Sequence, residues 1–334
     1  MISLLAWCAG LIAAWVPAFF YAHAAPPKNP ALSENFYGVE IVGNDAWIVG
    51  YYGTILHSND RGATWEIQLT PTRNALFKAR FLDRSTGWIS GSYGTILHTA
   101  DGGKNWRLQP SGTEEHLFGS FWLDKSRGWL VGSGGVTLRT EDGGRSWRHL
   151  SVPGDLTFNE VVFVSQTDGW LAGEFGAIFQ TQNGGTSWLK QKSPIEVSFA
   201  SGESRNLFAL LFASPKSGYA FGLDGVILKT RDGTRWEIAR QEVKTNHRAT
   251  ANHLFSAAQS NRRLWAVGER GTVLYSDLNN ERWSPSGSPI PPISLNGIAF
   301  GEGGFGLIVG NRGLVLRSDD GGASWKRSPI VLRP

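Results

Sequence analysis

Short apolar runs separated by polar, glycine-rich turns recur along the chain from about residue 35 onward. In one stretch "HLFGSFWLD" (116–124) is followed by "GWLVGSGG" (128–135), "VTLRT" (136–140) and "SWRHL" (146–150). Runs of this length, rich in aromatic and β-branched residues and bounded by turn residues, predict four short strands joined as one antiparallel sheet. The same order returns at "NLFALLFAS" (206–214), so the sheet is a unit that repeats.

The repeat is clearest at its end. "GTILHSNDRGATW" (53–65) recurs as "GTILHTADGGKNW" (94–106), "GVTLRTEDGGRSW" (135–147), "GAIFQTQNGGTSW" (176–188), "GVILKTRDGTRW" (225–236), "GTVLYSDLNNERW" (271–283) and "GLVLRSDDGGASW" (313–325). The terminal residues Trp65, Trp106, Trp147, Trp188, Trp236, Trp283 and Trp325 are spaced by 41, 41, 41, 48, 47 and 42. A period near 40 suits a four-stranded propeller blade. The predicted fold is all-β, a single seven-bladed β-propeller of four-stranded antiparallel blades over residues 25–334.

Each box position has a physical role. Asp60, Asp101, Asp142, Asp232 and Asp320 can accept hydrogen bonds from turn amides, as can Asn183. Gly62, Gly103, Gly144, Gly185 and Gly322 suit a left-handed backbone, with Asn280 at that place in the sixth copy. The tryptophan is expected to pack beneath the hairpin. Two copies depart from the pattern: the fifth is one residue short at Gly233-Thr234-Arg235-Trp236, and the sixth has Leu278 in place of the acid. Distorted hairpins are expected there.

The pattern S/T-x-D-x-G-x-x-W resembles the Asp-box, or BNR repeat, found on propeller hairpins of sialidases, other glycoside hydrolases and sorting receptors. Joined to G-W-x-x-G (Trp88, Trp129 and Trp170, each three residues before Gly91, Gly132 and Gly173) and G-x-x-L-x-T, it resembles the photosystem II assembly and stability factor family and its relatives in non-photosynthetic bacteria. The resemblance spans roughly residues 35 to 328. It implies a seven-bladed propeller acting outside the cytoplasm as an assembly factor for a membrane protein complex, in photosynthesis or beside an efflux-type transporter.

The first 24 residues carry no Lys, Arg, Asp or Glu and end in Ala22-His23-Ala24, a small-x-small pattern that predicts a secretory signal cleaved after Ala24. The alternative is an uncleaved anchor, since no basic residue precedes the apolar run and Pro17 interrupts it. Cys8, the single cysteine, lies in this segment, so the mature chain can form no internal disulfide. Export to the periplasm, or to the non-cytoplasmic side of a membrane, is the expected localisation.

Candidate chemistry is sparse. Lys and Arg number 32 against 28 Asp and Glu, without a long run of like charge, which argues against nucleic acid. His57 and His98 occupy one repeat position and His116 and His253 another, so the ring separates them and no metal site is expected. No phosphate-binding glycine loop occurs, and no cofactor is expected. The rival reading is a carbohydrate-active Asp-box propeller, a sialidase-like hydrolase or a lectin. However, no R-I-P arginine motif is present, and Glu114-Glu115 and Asp319-Asp320 read as loop and turn residues. A third reading is a purely structural subunit of an envelope complex. The chain is predicted to be no enzyme.

What differs between repeats then points to function. The turns between second and third strands read Tyr51-Tyr52, Ser92-Tyr93, Ser133-Gly134, Glu174-Phe175, Leu223-Asp224, Glu269-Arg270 and Asn311-Arg312. They predict an aromatic arc facing a charged arc. The long linkers 192–206 and 241–253 enlarge the same face with Arg205, Lys244 and Arg248. Tyr51, Tyr52, Tyr93, Phe175, Arg205, Lys244, Arg248, Arg270 and Arg312 are therefore the partner-binding candidates, on a protein expected to be monomeric alone.

Overall fold

The computed structural model describes residues 34–197, 200, 205–239, 252–260, 263–278 and 282–333. The expected signal segment, Lys244, Arg248 and Asn280 lie outside them. The chain folds as seven four-stranded antiparallel sheets, each built from four consecutive strands. Blade 1 runs Phe36–Val42, Asp45–Gly50, Ile55–Ser58 and Glu66–Ile67 from the axis outward. The inner strands of blades 2 to 7 are Leu76–Phe81, Leu117–Trp122, Phe158–Phe163, Leu207–Ser214, Leu254–Ser260 and Leu295–Phe300.

The hydrophobic core lies between blades. Trp47, Val49 and Ile55 of blade 1 pack with Leu76, Ala79, Phe81, Ile89, Leu97 and Trp106 of blade 2. Four second-strand tryptophans stack on the sixth inner-strand residue of the following blade. Ring centroids are 3.7 Å apart for Trp47–Phe81, 3.6 Å for Trp88–Trp122 and 4.0 Å for Trp129–Phe163 and for Trp170–Phe212. Their indole N–H groups then reach the box of that same next blade: Trp47 donates to Gly102 O at 3.3 Å and Trp170 to Gly233 O at 2.9 Å. The G-W-x-x-G element is thus an inter-blade clasp, combining stacked apolar area with a satisfied buried donor.

The ring closes by the same packing. Phe36, Ile48, Leu56 and Trp65 of blade 1 share a core with Phe305, Leu307 and Val309 of blade 7. Residues 331–333 line up beside Trp65 in a parallel bridge, with Trp65 N donating to Val331 O and Arg333 N to Trp65 O, both at 2.8 Å. Blades 1 and 7 are each complete within the chain, so no strand is exchanged to close the ring.

Outside the sixth copy, whose residues 279–281 lie outside the described ones, the boxes hold their hairpins by hydrogen bonds. In the first, the Ser58 hydroxyl donates to Asp60 at 2.7 Å and accepts from Gly62 N at 2.8 Å, while Asp60 accepts from Thr64 N at 2.9 Å. Asn183 reproduces this frame, accepting from Thr181 Oγ1 and Ser187 N, both at 2.9 Å. In the shortened fifth copy Gly233 N bonds Thr230 Oγ1, three residues back where the other boxes span four, and Asp232 gathers both Thr234 N and Arg235 N at 2.8 Å. The box tryptophans Trp65 and Trp283 are fully buried, but Trp147 is only half-buried, resting edge-on against Trp122.

Candidate docking face and central channel

Inner strands begin, and second strands end, on one face of the ring. Each second-to-third turn on that face places two consecutive residues in the left-handed region, the second always glycine and the first Tyr52 (φ 52°), Tyr93 (53°), Gly134 (58°), Phe175 (56°), Asp224 (54°), Arg270 (52°) or Arg312 (57°). Only one of the seven first residues is glycine. For the others the conformation costs roughly 1–2 kcal/mol each, so the surrounding bonds must impose it. The next blade supplies some of them: Tyr93 N donates to His116 Nδ1 at 3.2 Å, Asp224 N to His253 Nδ1 at 3.0 Å and Arg312 N to Asn35 Oδ1 at 3.2 Å. Accepting at Nδ1 leaves the neutral imidazole proton on Nε2.

The side chains so presented are unequal. Tyr52 is 58% and Tyr93 66% exposed, and the Tyr51 and Tyr52 rings meet edge-on with centroids 4.4 Å apart. Phe175 is half-buried, because the following linker folds back and Val197 N bonds Phe175 O at 3.1 Å. Arg270 and Arg312 are exposed, and Arg205 is half-buried. The aromatic and charged arcs are not opposed, as the linear order of repeats suggested. Ring closure makes blades 6, 7, 1 and 2 consecutive, so Arg270, Arg312, Tyr52 and Tyr93 form one continuous arc. The face carries more acidic than basic groups among the described residues. Counting the two tip residues and the two before each inner strand, Glu34, Glu115, Glu174, Asp224 and Glu269 outnumber Arg205, Arg270 and Arg312 among the described residues.

Sequence reasoning missed what lies inside this ring. A channel of about 780 Å³ runs along the axis, lined by inner strands of all seven blades. At its mouth the second inner-strand position reads Tyr37, Phe77, Phe118, Asn159, Phe208, Phe255 and Asn296, each half-buried. Five aromatics make a collar, with centroids 5.7 Å apart for Tyr37–Phe77, 5.3 Å for Phe77–Phe118 and 5.5 Å for Phe208–Phe255. The signal was present in the repeats as the residue after the first apolar position. It reads as core unless it is known to be the bulged residue of its strand.

Below the collar two ion pairs cross the channel wall. Lys78 Nζ lies 2.5 Å from Glu160 and Arg80 Nη1 3.2 Å from Glu40. The Lys78–Glu160 pair reaches from blade 2 to blade 4 past Gly119 of blade 3. A side chain at Gly119 would meet Asn159 O and Glu160 Cα at 2.8 Å, so the glycine permits the approach of these strands. Burial pushes the Glu40 carboxyl up against the opposing pull of Arg80 and Lys78, and burial pushes the Lys78 ammonium down against the pull of Glu160. Burial alone would lower Arg80, but Glu40 and Glu160 outweigh it and raise it. Burial raises the Tyr37 phenol as well. The four charges sum to zero, so the channel floor carries no net charge.

Comparison with known proteins agrees with this architecture. The family model described as photosynthesis system II assembly factor YCF48 matches residues 63–191. A structure of YCF48 bound to D1 peptide is 19% identical with a TM-score of 0.66, the match covering 86% of this chain and 93% of the other. YCF48 from Cyanidioschyzon merolae is 19% identical with a TM-score of 0.67, covering 86% and 96%. The GH74 enzyme of Niastella koreensis is 13% identical with a TM-score of 0.67, covering 88% of this chain but 54% of the enzyme, so the chain spans about half its length. None of the curated proteins matches the chain significantly. Identities this low establish the shared fold alone.

Proposed function

We propose that this seven-bladed Asp-box propeller, which resembles the YCF48 assembly factors, is exported and binds a membrane protein through its tip face without catalysing a reaction. The observation that carries the reading is the row of six non-glycine residues held left-handed on one face, with Tyr52 and Tyr93 exposed among them. Strain of this kind persists where surrounding structure over-determines it, and it concentrates at ligand clamps and switch regions. A relative captured with a D1 peptide supports a membrane-protein partner.

The arc from Arg270 to Tyr93 presents the residue types that supply most affinity at interfaces. The partner is an assembling membrane complex or an efflux-type transporter, the protein is a monomer by itself, and no cofactor, metal or nucleic acid enters this reading. Fractionation should find the processed chain on the non-cytoplasmic side, and affinity purification from detergent-solubilised membranes should recover one integral membrane protein in stoichiometric amount. Recovery in the cytosol, or turnover of sialosides or β-glucans by the purified protein, would refute it.

A further inference from the structure

We infer that the collared mouth of the channel is a binding site for an extended peptide segment in which an apolar or aromatic residue is flanked by basic ones. The inference rests on the tip face being the docking surface and specifies the chemistry it accepts. The cavity of about 780 Å³ falls within the range of sites that enclose a small ligand or several residues of peptide. Its mouth is apolar on every blade except those of Asn159 and Asn296.

Those two amides are already engaged. Asn159 Nδ2 donates to Leu207 O at 2.8 Å, and Asn296 Nδ2 donates to Phe36 O at 2.7 Å and to Asn311 Oδ1 at 2.8 Å. Each amide thus gives a donor to a carbonyl of the following blade. The collar recognises an apolar side chain by burial and by aromatic edges.

Charge outside the collar chooses the neighbours of that side chain. Glu115 accepts from the Ser133 hydroxyl at 2.5 Å and Glu34 from Thr54 Oγ1 at 2.6 Å, which fixes both carboxylates on the tip face outside the collar. Asp224 and Glu269 flank His253 at 3.8 Å and 3.9 Å. The floor beneath is neutral because Lys78 and Arg80 are matched by Glu160 and Glu40. Because the carboxylates of this face outnumber its described cations Arg205, Arg270 and Arg312, a cation beside the inserted residue is favoured by charge and by aromatic faces over an acidic neighbour.

The test uses the purified full-length protein and two labelled hexapeptides, blocked at both ends, with leucines around one phenylalanine. One carries lysines at its flanks and the other glutamates. Fluorescence anisotropy should show saturable binding of the lysine peptide that weakens as salt rises, with the glutamate peptide binding at least about tenfold more weakly. Glu115→Gln with Asp224→Asn and Glu269→Gln, which preserve shape, should erase that preference. Phe77→Leu with Phe255→Leu, which keep apolar volume, should weaken both peptides.

Equal binding of the two peptides, or a preference untouched by the carboxylate changes, would overturn the inference. So would saturable binding of cello-oligosaccharides in place of peptide. The docking reading fails separately, if membrane-protein capture survives Tyr52→Ala with Tyr93→Ala while the lysine peptide still enters the channel.

Discussion

The Trp129 indole N–H donates to the carbonyl oxygen of Gly184 in the following blade, 3.2 Å away, while its ring stacks on Phe163 of that same blade. One side chain thus ties two blades by dispersion and by a buried hydrogen bond. Trp129→Phe keeps the stack and strands the Gly184 carbonyl, so it should cost about 1–3 kcal/mol. Trp129→Ala should cost about 3–5 kcal/mol. Urea denaturation of both variants measures the difference, and equal losses would mean the hydrogen bond contributes nothing.

Box tryptophans are not equivalent. Trp65 is fully buried in the core that closes the ring, whereas Trp147 is half-buried. Trp65→Ala should cost about 3–5 kcal/mol, and Trp147→Ala clearly less, because fewer contacts and less area are lost. Neither change should selectively remove partner binding. Chemical denaturation beside a capture assay checks both statements.

Acid should loosen the hairpins. Hydrogen bonds from the Ser146 hydroxyl and amide lower the Asp142 carboxyl from an ordinary 3.8 to about 2. In Asp60, bonds from Thr64 and Ser58 and the nearby Arg333 charge outweigh the upward push of burial and hold it well below the usual range. Depressed carboxylates contribute stability that is complete above their unfolded value and lost as pH falls through the folded one. The contribution of the boxes should therefore be flat from neutrality to about pH 4 and decline toward pH 2. Asp142→Asn should shallow that decline in a pH series of thermal melts, and an unchanged slope would remove this box as a contributor.

Tip strain offers a separation of stability from function. Tyr93→Gly removes a left-handed non-glycine residue, which should relieve roughly 1 kcal/mol, while deleting an exposed anchor. The variant should melt at a higher temperature and yet capture partner more weakly. A variant that melted lower would show that Tyr93, through its edge contact with His116, holds the fold and not the partner.

The ring was legible because its seven boxes and their spacing report blade number, strand order and turn conformation directly. The G-W-x-x-G tryptophans were visible as letters, but their partners in the next blade are fixed only by packing. The collar stayed hidden for a related reason: Phe77, Phe118, Phe208 and Phe255 sit next to buried leucines in sequence, and the bulge in each inner strand turns them to the axis. The continuity of Arg312 with Tyr52 was implicit in a closed seven-bladed ring, and the carboxylates Glu174, Asp224 and Glu269 already stood among the turns assigned to one face; reading the repeats in linear order obscured both. Glu40, Lys78, Arg80 and Glu160 come from three strands spread over some 120 residues, so no local pattern could unite them.

Which face meets the partner decides how this ring works. Capture from solubilised membranes should be compared for three forms of the protein: the natural sequence, Tyr52→Ala with Tyr93→Ala, and Lys104→Glu with Arg145→Glu on the opposite, box-bearing turns. The tip pair should lose most of the captured membrane protein with little change in melting temperature, a cost of roughly 2 kcal/mol or more for a hot spot, while the box-face pair should capture as the natural sequence does. Loss of capture in the box-face pair, with the tip pair intact, would place the binding surface on the other side of the ring and contradict the account.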